Sequence, residues 1–136
     1  MKSKTELDSD GKNKLYALKR YQYKASSEER EHIRHEAGLM KWLNIDEIVK
    51  CKEAFVSVKS CAIILELMHY TDINNIVEHG NYGEKFCQHI LLAVTTALFK
   101  MHQKNVLHRD VKTENILVND SFVVKLCDLG VSKSLS

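Results

Sequence analysis

The stretch His108-Arg109-Asp110-Val111-Lys112-Thr113-Glu114-Asn115 gathers carboxylates, cations and a carboxamide, and Asp128-Leu129-Gly130 follows across a predicted hairpin. These residue types suit phosphoryl transfer, which asks for little covalent chemistry: metal ions bridge the phosphates, a cation holds them, and a carboxylate orients the attacking hydroxyl. Asp and Asn side chains offer hard oxygen ligands of the kind Mg²⁺ takes. The plain alternative is that Asp110, Asn115 and Asp128 cap turns around a hairpin, as such residues often do. Their joint spacing argues against it, because the first stretch reproduces H-R-D-L-x-x-x-N with one aliphatic exchange, Val111 for Leu.

Several elements must position these groups. Leu15 to Tyr23 alternates and is rich in strand formers, and it follows an Asp10-Gly11 turn signal. Ser26 stands three residues before Glu29 as a capping box, and Ile33, Ala37, Met40 and Leu43 repeat at helical spacing, which predicts a helix over Glu28 to Leu43. Ile48 to Val58 and Cys61 to Met68 read as strands, the second almost wholly apolar and so central in a sheet. From Thr71 the pattern turns helical: Asp72 to Glu78 is short, and Glu84 to Lys104 is long, with Phe86, Ile90, Val94, Ala97 and Met101 on one stripe that needs a partner surface and is expected to stay partly uncovered. Ile116-Leu117-Val118, a turn at Asn119-Asp120 and a strand from Phe122 to Cys127 complete a small hairpin. The order predicts two lobes joined near Met68 to Thr71.

These motifs and their order resemble the eukaryotic protein kinases, over nearly the whole chain. The resemblance implies an α+β, two-lobed fold present in part, with residues 1–68 as the small lobe from about its second strand to the hinge. Residues 69–136 would then begin the large lobe, through the catalytic loop and Asp128-Leu129-Gly130. It implies transfer of the γ-phosphate of ATP to protein hydroxyls with Mg²⁺. Asp110 would accept or orient the substrate hydroxyl, Lys112 would reach the transferred phosphoryl group, and Asn115 and Asp128 would hold the metal. Tyr16-Ala17-Leu18-Lys19 matches V-A-I-K, which makes Lys19 the phosphate-holding cation and Glu36 its ion-pair partner. By the same register Leu65 is the gatekeeper, Glu66 to Met68 the hinge whose backbone receives adenine, and Asp72 a candidate ribose contact. Ala17 and Leu117 would sandwich the ring, and Met40, Cys51, His108 and Leu129 would stack as the spine between lobes, loosely at the small Cys51. Lys112 points to a serine/threonine kinase, and Arg109 to control by phosphorylation in the activation segment.

The chain departs from the pattern in places. The glycine-rich loop before Lys19 would fall at Met1 to Lys4 or upstream of them, and no A-P-E follows Gly130, so the chain reads as a fragment truncated at both ends and inactive alone. Leu129 replaces the usual Phe, and Thr113 stands where the family often has Pro. Choline- and aminoglycoside-type kinases also carry H-x-D followed by Asn, but Arg109 and Lys112 favour protein kinases. A second reading, of another class, is a pseudokinase or scaffold that binds nucleotide or a partner without turnover.

Composition narrows the rest. The 136 residues are 44% hydrophobic and 28% charged with no proline, which excludes collagen-like and low-complexity classes. A net charge of +2 without a long basic run marks neither a nucleic-acid nor a membrane surface, so the expected partner is a protein substrate, and any regulatory partner stays unnamed. Cys51, Cys61, Cys87 and Cys127 form no C-x-x-C pair, which suits a reducing cytosol, and no apolar run fits a leader or a membrane span. A cytoplasmic or nuclear protein is expected. His32 and His35 beside Glu36 read as a solvated helix face, and Cys127 as a small buried residue.

Overall fold

The computed structural model describes residues 14–21, 25–69, 71–80 and 82–135. The upper lobe consists of β1 (Tyr16–Arg20), α1 (Ser27–Leu43), β2 (Cys51–Val56) and β3 (Cys61–Glu66). The lower lobe holds β4 (Thr71–Asp72), α2 (Ile73–His79), α3 (Glu84–Gln103), β5 (Val106–Leu107), a 3₁₀ turn at Thr113–Asn115, β6 (Ile116–Val118), β7 (Val124–Leu126) and β8 (Lys133–Ser134). This is the expected α+β, two-lobed arrangement. The Asp10-Gly11 turn and the expected strand end at Tyr23 lie outside the described residues.

The upper sheet is antiparallel in the order β1-β3-β2, so the apolar run Cys61-Ala62-Ile63-Ile64-Leu65 takes the centre, with Cys61 and Ile63 buried on the face toward α1 and Ala62 and Ile64 half-buried on the other. Lys19 pairs with Ile63 and Ala17 with Leu65, which aims Ala17 and Lys19 at one face by the two-residue period of a strand. Helix α1 starts at a complete capping box: Glu29 N–H donates to Ser26 Oγ at 3.1 Å, and Ser26 N–H to Glu29 Oε2 at 2.6 Å. It stops at Asn44, whose backbone turns left-handed at φ 44° and closes onto the Met40 carbonyl.

The two halves of α1 serve different cores. Ile33 and Ala37 pack with Cys61 and Ile63 under the sheet. Leu39, Met40 and Leu43 join the larger core, with Met101, Val106, Leu126 and Leu129 of the lower lobe. Glu36 sits where the two meet.

The second predicted strand begins later than its apolar pattern suggests, at Cys51 and not at Ile48. Ile48 and Val49 are both 2% exposed and belong to the lower core. Their backbone pairs with β7: Val49 N–H donates to the Leu126 carbonyl and Leu126 N–H to that of Glu47, each at 2.8 Å. The segment therefore stitches the upper sheet to the lower hairpin. The predicted strand at Phe122 likewise starts only at Val124, because Phe122 adopts φ 59° in a turn that Asn119 closes onto the backbone of Ser121 and Val123.

The apolar stripe of α3 is covered in part, as expected. Val94, Ala97 and Met101 are buried, with Phe86 and Ile90 half-buried beside them. The exposed apolar side chains of this helix, Leu91, Leu92 and Phe99, lie off that stripe. Its C-terminal turn is fastened to the upper lobe: Lys100 Nζ lies 2.6 Å from Glu47 Oε1, and Lys104 Nζ donates to the Leu43 carbonyl at 3.0 Å, with the ammonium 5.0 Å from the centre of the Trp42 ring. No helix among the described residues is long and apolar enough to cross a membrane.

Candidate active site

Lys19, on β1, extends into the cleft between the lobes and bonds two carboxylates there. Its ammonium lies 2.8 Å from Glu36 Oε1 of α1 and 3.0 Å from Asp128 Oδ1, beyond β7. Burial alone would favour the neutral amine, but the two carboxylates outweigh it and raise the Lys19 pKa above its usual value. Asp128 responds in the same sense: burial opposes its charge, yet Lys19 and the Gly130 N–H, 3.2 Å away, hold its carboxyl below the ordinary value. The three residues come from the sheet, the capped helix and the lower hairpin, so the cluster exists only when both lobes are joined.

Asp110, Lys112 and Asn115 form a second group on the loop after β5. Asn115 is buried in the 3₁₀ turn, and its side-chain nitrogen donates to both the Asp110 carbonyl and Asp110 Oδ2 at 2.9 Å. Lys112 Nζ reaches the same Oδ2 at 2.9 Å and keeps the Asp110 carboxyl below its usual range. Asp110 is thus a partly exposed, ionised carboxylate held in one orientation by two donors.

The two groups are laced together through backbone. Cys127 N–H donates to the Asn115 carbonyl at 2.9 Å, and Ser132 Oγ to the His108 carbonyl at 3.1 Å. Arg109 and Asp128 both adopt left-handed backbone, φ 68° and 61°, a conformation that costs a non-glycine residue roughly 1–2 kcal/mol. Arg109 Nε donates to the Val131 carbonyl at 2.5 Å, which ties the first strained residue to the segment carrying the second. A phosphate partner for Arg109, expected from sequence, would compete with that bond.

His108 is 1% exposed, and its tautomer follows from its neighbours. Nε2 donates to the Cys127 carbonyl at 3.1 Å, and Nδ1 accepts the Asp110 N–H at 3.3 Å, so the ring must be neutral. Burial lowers its pKa below 6.5, against the opposing pull of the Cys127 carbonyl and the nearby aspartates. At high pH neither the folded nor the unfolded chain holds this proton. As pH falls through about 6.5 the unfolded chain takes it up first, so this group's contribution to stability is lost toward acid, at up to about 1.4 kcal/mol per pH unit. NMR titration of the ring should place its midpoint below that of an ordinary histidine.

The remaining sequence candidates fall out as follows. Leu65, Met68, Leu117 and Cys127 all lie half-buried against the lower core, and Ala17 is the cross-strand neighbour of Leu65. Cys51 is only partly buried and touches both cores, one of which holds Met40 and Leu129, while His108 is buried separately. Burial pushes the Cys127 thiol up to about 11, which leaves it protonated and unreactive at neutral pH. Asp72 has its carboxylate engaged at the start of α2, accepting from Asn75 N–H at 2.9 Å and Asn75 Nδ2 at 2.6 Å. The Glu66 side chain is engaged within the protein: Oε1 accepts the Lys50 N–H at 2.6 Å and Lys125 Nζ at 2.7 Å, another bridge between lobes.

Sequence reading missed Tyr21, whose hydroxyl donates to Glu36 Oε2 at 2.7 Å. The signal was its spacing, two residues from Lys19 and so on the same strand face. The Arg109 tie to Val131 had no such signal.

Comparison with known proteins accords with this geometry. Residues 5–136 match the family model of the protein kinase domain. The chain is 32% identical over 111 residues to the serine/threonine-protein kinase cds1 of Schizosaccharomyces pombe, covering 79% of this chain and 24% of that protein. It is 31% identical over 134 residues to the NUAK family SNF1-like kinase 2 of Rattus norvegicus, covering 96% and 21%. It is 30% identical over 104 residues to mitogen-activated protein kinase 2 of Pneumocystis carinii, covering 73% and 29%. The chain thus spans less than a third of the length of these relatives. With Lys19, Glu36 and Asp128 joined in one cluster and residues 5–136 matching the family model, the chain belongs to the protein kinase domain family.

Proposed function

We infer that this chain carries the nucleotide-binding and catalytic centre of a serine/threonine protein kinase that transfers the γ-phosphate of ATP to protein hydroxyls. The observation that supports it most is the single ammonium of Lys19 shared between Glu36 and Asp128. Such a cation is fixed before substrate arrives and is aimed at the place where phosphate charge must be balanced. Asp110 lies on the facing loop, ionised and oriented, ready to accept a hydrogen bond from a substrate hydroxyl, while Lys112 beside it offers a cation to the moving phosphoryl group.

The donor set fits Mg²⁺. Asp128 supplies a carboxylate, and Asn115, with its nitrogen end spent on Asp110, supplies a carbonyl oxygen. Mg²⁺ takes few protein ligands and keeps waters and substrate phosphates in its shell. Asp128 and Asn115 would hold the ion, which when bound would supply positive charge to balance the phosphates. The hydroxyl specificity rests on Lys112 and on the serine/threonine kinase among the relatives.

The test is phosphate transfer by the full-length protein. With γ-labelled ATP, Mg²⁺ and a generic protein substrate, label is expected on serine and threonine. Nucleotide binding without transfer, across several substrates, would overturn this in favour of a pseudokinase.

A further inference from the structure

We propose that Tyr21 is a positioning residue of the phosphate-binding pair: its hydroxyl fixes Glu36 so that Lys19 remains shared with Asp128. The proposal rests on the kinase reading above. Glu36 is 4% exposed, and its two oxygens are divided, with Oε1 on Lys19 at 2.8 Å and Oε2 on Tyr21 at 2.7 Å. A carboxylate buried this deeply needs both oxygens satisfied. Tyr21 satisfies the one that Lys19 does not reach.

Tyr21 also touches the other member of the pair. The Lys19 ammonium lies 5.6 Å from the centre of the Tyr21 ring, within the range at which an aromatic face attracts a cation. The ring itself has little freedom. It packs on the cluster of Ala25, Ile33, Ala37, Cys61 and Ile63, and its N–H donates to the Cys61 carbonyl at 3.0 Å, continuing the ladder between β1 and β3. The hydroxyl is therefore a fixed post against which the Glu36 carboxylate is set.

The consequence concerns Asp128. Its Oδ1 sits 3.0 Å from the same ammonium that Glu36 holds at 2.8 Å. Without the Tyr21 bond, the Glu36 carboxylate is free to turn, either taking Lys19 with both oxygens or drifting toward solvent. The first pulls Lys19 from the position where it meets phosphate, and the second leaves Lys19 to Asp128 and ties up a metal ligand. Either way nucleotide affinity suffers before the chemical step does.

Tyr21→Phe keeps the ring and its packing and removes only the hydroxyl. In the full-length protein it is expected to raise the KM and Kd for ATP in the presence of Mg²⁺ about tenfold, the low end for a hydrogen bond to a charged group. The KM for the protein substrate should stay unchanged. In a Glu36→Ala background the same change should add less than about twofold, because the carboxylate it acts through is gone. A purely structural role would move thermal stability and both KM values together. Lys19 acylation, followed by mass spectrometry, supplies a readout that needs no turnover: loosening the pair should speed labelling of Lys19 several-fold in Tyr21→Phe. If the wild-type protein transfers phosphate and Tyr21→Phe leaves ATP affinity and Lys19 labelling unaltered, the Tyr21 proposal fails. If the wild-type protein does not transfer phosphate, the kinase reading fails, and the labelling rate still decides whether Tyr21 sets the pair.

Discussion

Asp110→Asn in the full-length protein is expected to slow phosphoryl transfer by about 10²- to 10⁴-fold, the range over which a positioned acid or base contributes to such steps. The substitution keeps the shape of the side chain and its contacts with Lys112 Nζ and Asn115 Nδ2, both 2.9 Å from Oδ2. It removes the negative charge that would orient the substrate hydroxyl and receive its proton. Because Asp110 makes no bond to Lys19 or Asp128, ATP affinity should stay within about twofold, so the loss belongs to kcat. Steady-state kinetics with γ-labelled ATP reads both numbers. A loss in kcat below about threefold would remove Asp110 from the chemistry and point to Lys112 or the metal ligands as the principal contributors.

The same loop shows why some of the site could be read from sequence and some could not. Asp110, Lys112 and Asn115 lie within one turn of chain, so their spacing already implied their meeting, and the short-range bonds among them are what folds the loop. Lys19 and Glu36 are 17 residues apart, on elements whose own signals were strong: an alternating strand and a helix with a capping box and an apolar stripe. Two periodicities fix which way each side chain faces, and the pair follows. Asp128 lies 109 residues from Lys19, and only the family resemblance, not any local pattern, brought them together in advance.

What escaped sequence reading is of a different kind. Ile48 and Val49 look like the start of a strand because they are β-branched and apolar, and local pattern cannot say which core will bury them. The lower lobe won, through the backbone bonds that Val49 and Glu47 make with Leu126. Glu66 and Asp72 each have a carboxylate engaged within the fold, one by Lys50 and Lys125 and the other by the first turn of α2, pairings that no local pattern announces. A carboxylate's partner depends on which donors the tertiary fold brings within about 3 Å, and that information is spread over the whole chain.

Lys19→Met is expected to abolish detectable transfer and to weaken ATP binding, because it deletes the cation that, among the described residues, meets both carboxylates in the cleft. Removing a single preorganised donor from a developing charge costs about 10²–10³ in rate, and Lys19 is asked to act on phosphates that carry several charges. The variant should also be less stable. Glu36 is 4% exposed and would keep only Tyr21 as partner, a buried charge without its counter-charge, whose removal of pairing costs about 3–5 kcal/mol when both partners are fully buried. Lys19 retains 31% of its side-chain exposure, so water screens part of that interaction and a loss of about 1–2 kcal/mol is the expected figure. The two effects separate in a second variant. Lys19→Met combined with Glu36→Gln removes the stranded charge, so most of the lost stability should return in a denaturant titration, while transfer should not return at all. Recovery of transfer in that double variant would show that Lys19 serves only to neutralise Glu36. Persistent inactivity with restored stability would assign the ammonium to the phosphates.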